Sequence, residues 1–80
     1  MLLQEAISKR IIELCDERNI TLSGLATQAT ISHVSVINLC NGKTKALEIP
    51  TLSKMLTALD IGPTEFFTSP LFANIDPEVK

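Results

Sequence analysis

The sequence has few of the residues on which catalytic and metal sites depend. It contains no tryptophan or tyrosine, one histidine and two cysteines in 80 residues. It shows no pair of carboxylates on one helical face, no glycine-rich phosphate loop and no cysteine–histidine pair at a productive spacing. We therefore expect no enzymatic activity, no metal site and no cofactor.

Long apolar runs are also missing. The opening apolar residues lead straight into Gln4 and Glu5, so we expect neither a membrane-spanning helix nor a secretory signal. Cys15 and Cys40 lie in predicted helices with no neighbouring cysteine or histidine. The sequence therefore predicts two reduced, mostly buried thiols in a cytoplasmic protein.

Acidic residues are absent from the middle of the chain. The formal net charge is −2, yet no aspartate or glutamate occurs between Glu17 and Glu48. This acid-free segment, residues 18–47, contains Arg18, His33, Lys43 and Lys45. A polyanion would meet no local repulsion there, although so few cations predict weak, salt-sensitive affinity.

Apolar residues at helical spacing, with no strand-like alternation, predict an all-α chain. Thr21 and Ser32 are good N-cap residues, and Asn41-Gly42 is a typical helix stop. Proline is favoured in the first turn of a helix, which places Pro50 at the start of a fourth helix. The predicted helices cover residues 4–18, 22–28, 32–40, a fourth from about residue 50 to Leu59, and a short fifth at 64–67.

We expect residues 1–67 to form one domain and residues 68–80 a short apolar tail. Two prolines in the tail prevent one continuous helix, but the tail is too apolar to be a solvated extension. It either folds back over the core or packs against a second copy of the chain. Its apolar residues are Leu71, Phe72, Ile75 and Val79.

Residues 22–41 fit a helix-turn-helix. Ala26 is small enough to let two short helices cross closely, and Ile31 follows the turn as an apolar plug. Val36 and Leu39 are spaced to anchor the second helix of the pair in the core. In such a unit the second helix enters the major groove of duplex DNA.

The same positions resemble the Cro/C1-type (XRE) family of DNA-binding regulators. The similarity covers roughly residues 7–67 and implies a five-helix, lambda-repressor-like DNA-binding domain. It is carried by Arg10-Ile11-Ile12-Glu13-Leu14, Leu25-Ala26, Ile31-Ser32, Asn41-Gly42-Lys43, Thr51 to Met55, and Ala58-Leu59 through Glu65-Phe66-Phe67.

Three departures from the family pattern have structural consequences. Leu22 replaces a glutamine that meets a phosphate in the family. Thr30 replaces the usual turn glycine, and because a β-branched residue is strained at positive φ, we expect the turn to be built differently. Cys40 replaces a glutamate that commonly pairs with Arg10, which must find another acid, stay solvated or reach a phosphate.

The outward positions of the predicted recognition helix are candidates for base contacts. Asn38 matches the amide pairing with adenine, and His33 matches a donor to guanine or phosphate. Val34 and Ile37 fit contacts with thymine methyl groups, the alternative being further core packing. The full set is His33, Val34, Ser35, Ile37 and Asn38.

Contacts with the DNA backbone are expected at the helix starts and after the recognition helix. Hydroxyls, amides and helix N-termini bind phosphates, as do lysines, although Lys43 and Lys45 also fit ordinary solvated loop positions. The candidates are Thr21, Ser23, Ser32, Asn41, Lys43, Thr44 and Lys45.

The predicted function is sequence-specific binding of double-stranded DNA by a small cytoplasmic regulator, most simply a repressor. One recognition helix reads few base pairs, so we expect a homodimer. Its interface is expected to include Phe66, Phe67, Leu71 and Phe72. The alternative is a protein-interaction module, such as an antitoxin or adaptor, that uses the same fold with little or no DNA binding.

Overall fold

The protein is all-helical, as predicted. A computed structural model describes residues 1–43 and 47–78, and those ranges contain five α-helices, a 3₁₀ turn and no strand. No helix among them is long and apolar enough to cross a membrane. The elements are α1 (Leu3–Glu17), α2 (Leu22–Ala29), α3 (His33–Cys40), α4 (Ile49–Ala58), α5 (Pro63–Phe67) and the 3₁₀ turn Pro70–Phe72.

The helix starts follow local sequence chemistry. The Thr21 hydroxyl accepts from the Gly24 amide at 2.9 Å, and the Ser32 hydroxyl accepts from the Ser35 amide at 3.4 Å. Both residues are N-caps, which confirms their prediction. Pro50 lies in the first turn of α4, also as predicted. These local signals fix where α2, α3 and α4 begin.

Four helices end in the same way. Each of α1 to α4 is followed by a residue at positive φ, and the next amide bonds back to a carbonyl five residues earlier. The positive-φ residues are Asn19, Thr30, Gly42 and Asp60. The bonds that close the motifs are Ile20 to Cys15, Ile31 to Ala26, Lys43 to Asn38 and Ile61 to Leu56, at 2.8–3.1 Å.

Thr30 corrects the expectation of an unusual turn. Its φ is 58° and its ψ is 46°, so the turn has the left-handed geometry that glycine would supply. The Ile31 amide donates to the Ala26 carbonyl at 3.0 Å, and the Ile31 side chain packs against the core. These contacts hold Thr30 in a conformation that a β-branched residue disfavours.

The core lies between α1, the helix pair α2–α3, α4 and α5. Phe66 is its largest fully buried side chain. Arg10 holds α5 against α1, since its Nε donates to the Phe66 carbonyl at 2.9 Å and its Nη2 to the Glu65 carbonyl at 3.2 Å. Its Nη1 also pairs with Glu13. Arg10 thus finds another acid and, in addition, caps the end of α5.

The tail folds back over its own chain. The 3₁₀ turn packs on α1, and Phe72 packs against the core. The amino group of Met1 pairs with Asp76 at 2.7 Å, and the Asp76 amide donates to the Met1 carbonyl at 2.9 Å. The described part of the tail packs on its own chain, and packing against a second copy stays a prediction; Val79 lies outside the described residues.

Candidate nucleic-acid interface

The two helices of the predicted helix-turn-helix pack closely through small and aliphatic residues. Ala26 is completely buried where α2 meets the rest of the domain, and Leu25 beside it is also completely buried. On α3, Val36 and Leu39 are the buried residues. The Ser8 hydroxyl donates to the Leu39 carbonyl at 2.8 Å and thereby ties the end of α3 to α1. The packing of Val36 and Leu39 and the bond from Ser8 therefore fix the position of α3 and of its exposed face.

Apolar side chains dominate the exposed face of α3. Val34 is 64% exposed and Ile37 is 40% exposed, so neither belongs to the core. They lie three residues apart in one helix and therefore share a face. The core alternative for these two residues is wrong, and their surface is available to a partner.

Ser35 and Asn38 flank this apolar face on the side toward α4, since Asn38 lies four residues from Val34. With Ile31, Leu47 and Thr51 they line a cavity of about 170 Å³ between α3 and the start of α4. Asn38 is half-buried there, whereas Ser35 is exposed. The predicted base-contact residues thus form two groups, an apolar outer face and a polar flank.

His33 is held by α2, which the sequence did not suggest. Its Nε2 lies 3.1 Å from the Thr27 hydroxyl, which itself donates to the Ser23 carbonyl at 3.1 Å. Because a hydroxyl has a single proton to donate, Nε2 of His33 is the donor to Thr27 when the Thr27 proton goes to the Ser23 carbonyl. To donate Nε2–H to a base or phosphate, His33 would first have to leave Thr27.

The predicted phosphate-binding side chains lie at the surface wherever the structure describes them. The N-cap hydroxyls of Thr21 and Ser32 accept one bond each and keep a proton to donate. Leu22 is half-buried against the core, so it leaves the start of α2 to these polar neighbours. Ser23, Asn41 and Lys43 are also exposed, while Thr44 and Lys45 lie outside the described residues.

The two cysteines are free and inward-facing. Cys15 is buried and Cys40 half-buried. Burial, and to a lesser degree the neighbouring Cys15, raises the pKa of the Cys40 thiol to about 11. Burial also raises the pKa of Cys15, reinforced by Asp16 and opposed by Arg18. Both groups are therefore protonated at neutral pH and are poor nucleophiles.

Three phenylalanines form a cluster near the chain's C-terminal part. Phe67 stacks edge-on with Phe66 at 5.0 Å and with Phe72 at 4.9 Å between ring centroids. Phe66 is fully buried within the chain, so its side chain offers no surface for the expected dimer interface. Phe67 is 39% exposed, and Leu71 and Phe72 are half-buried. The dimer itself stays a prediction.

Comparison with known proteins agrees with this geometry. A family model described as a Cro/C1-type HTH DNA-binding domain matches residues 10–70. A crystal structure of the prophage Lp1 protein 11 is similar at a TM-score of 0.79 and 28% sequence identity, over 94% of this chain and 100% of that one. No curated protein matches the chain. The match over residues 10–70 places the chain in the family of Cro/C1-type helix-turn-helix DNA-binding domains.

Proposed function

We propose that this protein is a transcriptional regulator that binds specific sites on double-stranded DNA, and that it represses by occupying them. The observation that carries the proposal is the exposed outer face of α3, within an acid-free segment, in a domain of a DNA-binding family. Such a helix fits the major groove, where side chains contact base edges. The likeness to a prophage protein favours a regulator of the phage type.

Contacts with phosphates set the position of the domain on DNA. The N-termini of α2 and α3 carry unpaired amides and a positive dipole end, which favour phosphate oxygens. The Thr21, Ser23 and Ser32 side chains surround these ends, and Asn41 and Lys43 follow α3. Most of these groups are neutral, so affinity depends on hydrogen bonds and shape more than on charge.

Base contacts in this proposal come from both groups of α3 residues. Val34 and Ile37 contact methyl groups from the outer face, and Asn38, with Ser35 beside it, supplies polar contacts from the flank. His33 also contacts DNA when its hydrogen bond to Thr27 is replaced by one to a base or phosphate. Since α3 has no arginine or lysine, guanine recognition by the commonest side-chain contact is absent.

A homodimer would place two copies of α3 on successive turns of DNA, about 34 Å apart. Phe67 provides the exposed apolar surface of the aromatic cluster, with Leu71 and Phe72 beside it. The regulator acts in the cytoplasm, needs no cofactor or metal and catalyses no reaction in this proposal.

The test is a titration of duplex DNA, selected from random sequences, at two salt concentrations. We expect binding to weaken as salt rises, because phosphate contacts release counterions. Lys43→Ala should weaken binding to all duplexes alike and reduce the salt slope by about one. Lys54→Ala is the matched control, because Lys54 is an exposed lysine of α4 outside the acid-free segment, and it should change neither.

The same titration also tests the dimer. A selected site with two related half-sites, bound by two chains, is expected; a single half-site saturated by one chain would refute it. Binding that ignores salt would refute DNA recognition and favour the second candidate, a protein-interaction module. That candidate is favoured by the net charge of −2 and by the apolar outer face of α3.

A further inference from the structure

The outer face of α3 exposes aliphatic surface where a DNA-reading helix most often presents polar side chains. Val34 is 64% exposed and Ile37 is 40% exposed, while α3 contains no arginine, lysine, glutamine or acid. Neither side chain can donate or accept a hydrogen bond. These two side chains can therefore recognise only apolar groups and shape.

One apolar group is displayed on the major-groove edge of the bases. It is the C5-methyl group of thymine, which cytosine lacks. 5-Methylcytosine carries the same methyl at the same ring position, and differs from thymine in its neighbouring amino group. Thymine carries a carbonyl where 5-methylcytosine carries this amino group. Because the side chains of Val34 and Ile37 form no hydrogen bonds, they do not distinguish the amino group from the carbonyl.

We propose that Val34 and Ile37 read pyrimidine C5-methyl groups, so that thymine and 5-methylcytosine are interchangeable beneath them. This inference rests on the proposed DNA binding and specifies what the outer face recognises. The chain would then bind a cytosine-containing variant of its site more tightly when that cytosine is methylated.

The spacing of the two side chains suits two neighbouring base pairs. Residues three apart advance about 4.5 Å along a helix. Successive bases of one strand are about 3.4 Å apart. Val34 and Ile37 would therefore contact different methyl groups, and each would have its own position in the half-site.

Charge favours DNA over a protein as the occupant of this face. The face lies in the acid-free segment, between Glu17 and Glu48, and the N-terminus of α3 lies beside it. Arg18 and Lys43 are the described cations of that segment, and both are exposed. An apolar partner protein would gain nothing from this absence of acids, whereas a polyanion meets no local repulsion there.

The experiment compares four versions of the selected duplex at each candidate position, with thymine, uracil, 5-methylcytosine or cytosine. Uracil differs from thymine only by the missing methyl. We expect thymine and 5-methylcytosine to bind alike, and uracil and cytosine about fourfold more weakly per methyl removed. Equal binding of thymine and uracil duplexes at every position would overturn the proposal.

Variants assign each methyl to its side chain. Val34→Ala should abolish the thymine-to-uracil difference at one position, and Ile37→Ala at the neighbouring one. Ile12→Ala is the matched control, because Ile12 is an exposed isoleucine of α1 at 37% exposure. It should leave both differences intact, and a methyl effect that survives both α3 substitutions would also overturn the proposal.

Different results would rule out the proposed DNA binding and the proposed methyl recognition. If the chain binds no duplex in a salt-dependent way, the proposed function is wrong. If it binds duplex but ignores methyl groups, only the methyl-reading inference is wrong. If it instead captures a protein through α3, duplex titration shows no selected site, and both are wrong.

Discussion

Thr30→Gly should make the protein more stable. Thr30 is held at φ 58° by the bonds that end α2, and it is exposed to solvent. Its hydroxyl makes no hydrogen bond within the described chain, so its removal leaves no partner unsatisfied. Glycine reaches this φ without steric cost.

The expected gain follows from two opposing contributions. A left-handed conformation costs an L-residue about 1–2 kcal/mol, and glycine removes that cost. Glycine also makes the unfolded chain more flexible, which costs about 0.4–1 kcal/mol. The net stabilisation is therefore on the order of 1 kcal/mol, equivalent to a rise in Tm of about 4–8 °C for a domain of this size.

Urea unfolding followed by far-UV circular dichroism measures this difference. Intrinsic fluorescence is unsuitable, because the chain has no tryptophan or tyrosine. Gln28→Gly is the matched control, since Gln28 is an exposed residue inside α2 and glycine there should cost about 1 kcal/mol. The two glycines, two residues apart, are expected to act in opposite directions.

One outcome would refute the reasoning directly. If Thr30→Gly is no more stable than the parent while Gln28→Gly is destabilised as expected, Thr30 is not strained. Thr30→Asn provides a second test of the strain, because asparagine tolerates this conformation better than threonine does. It should be stabilised by less than the glycine variant.

Two further predictions concern the core. Arg10→Met should destabilise the protein by about 2–3 kcal/mol in urea unfolding, because the last carbonyls of α5 lose a charged donor. Lys9→Met, a change at the exposed neighbouring residue, should alter stability by less than about 0.5 kcal/mol. Equal losses in the two variants would contradict the capping role of Arg10. The folded-state pKa of Cys40 lies near 11, above its ordinary 9.0, so folding favours the neutral thiol. The stability that the neutral thiol contributes is complete below pH 9 and is lost as the pH rises to 11. Cys40→Ala should therefore remove on the order of 2 kcal/mol of alkaline destabilisation measured between pH 8 and 11, and an unchanged pH profile would contradict it.

Local features of the structure could be predicted from the sequence because they depend on neighbours in the chain. The N-caps at Thr21 and Ser32 need only an amide three residues ahead. The inward anchors Val36 and Leu39 follow from helical periodicity. These signals recovered the order, type and approximate ends of all five helices.

Contacts between residues far apart in the sequence could not be predicted from helical periodicity and local caps. Arg10 reaches a carbonyl 56 residues away, and this contact helps to hold α5 and its buried Phe66 on α1. The interface role expected of Phe66 was inconsistent with that burial. Likewise, the bond between His33 and Thr27 depends on how α2 and α3 cross, which periodicity does not specify.

Thr30 shows a different limit. The preference of a single residue against positive φ was correctly stated, but it was outweighed by the burial of Ile31 and its bond to Ala26. Tertiary packing routinely overrides such local preferences. The family pattern, with glycine at this position, was the better guide to the backbone.

The shared ending of α1 to α4 has a consequence for how the protein folds. The hydrogen bond that ends each helix joins residues five apart and so involves only six residues. A nascent helix can therefore terminate at its native boundary before any long-range contact exists. Chain reversals would then be present in the unfolded ensemble as short-lived turns, and collapse would join helices of nearly final length. We expect fast folding, with amide exchange at the helix ends governed by local opening and exchange in the core governed by global unfolding.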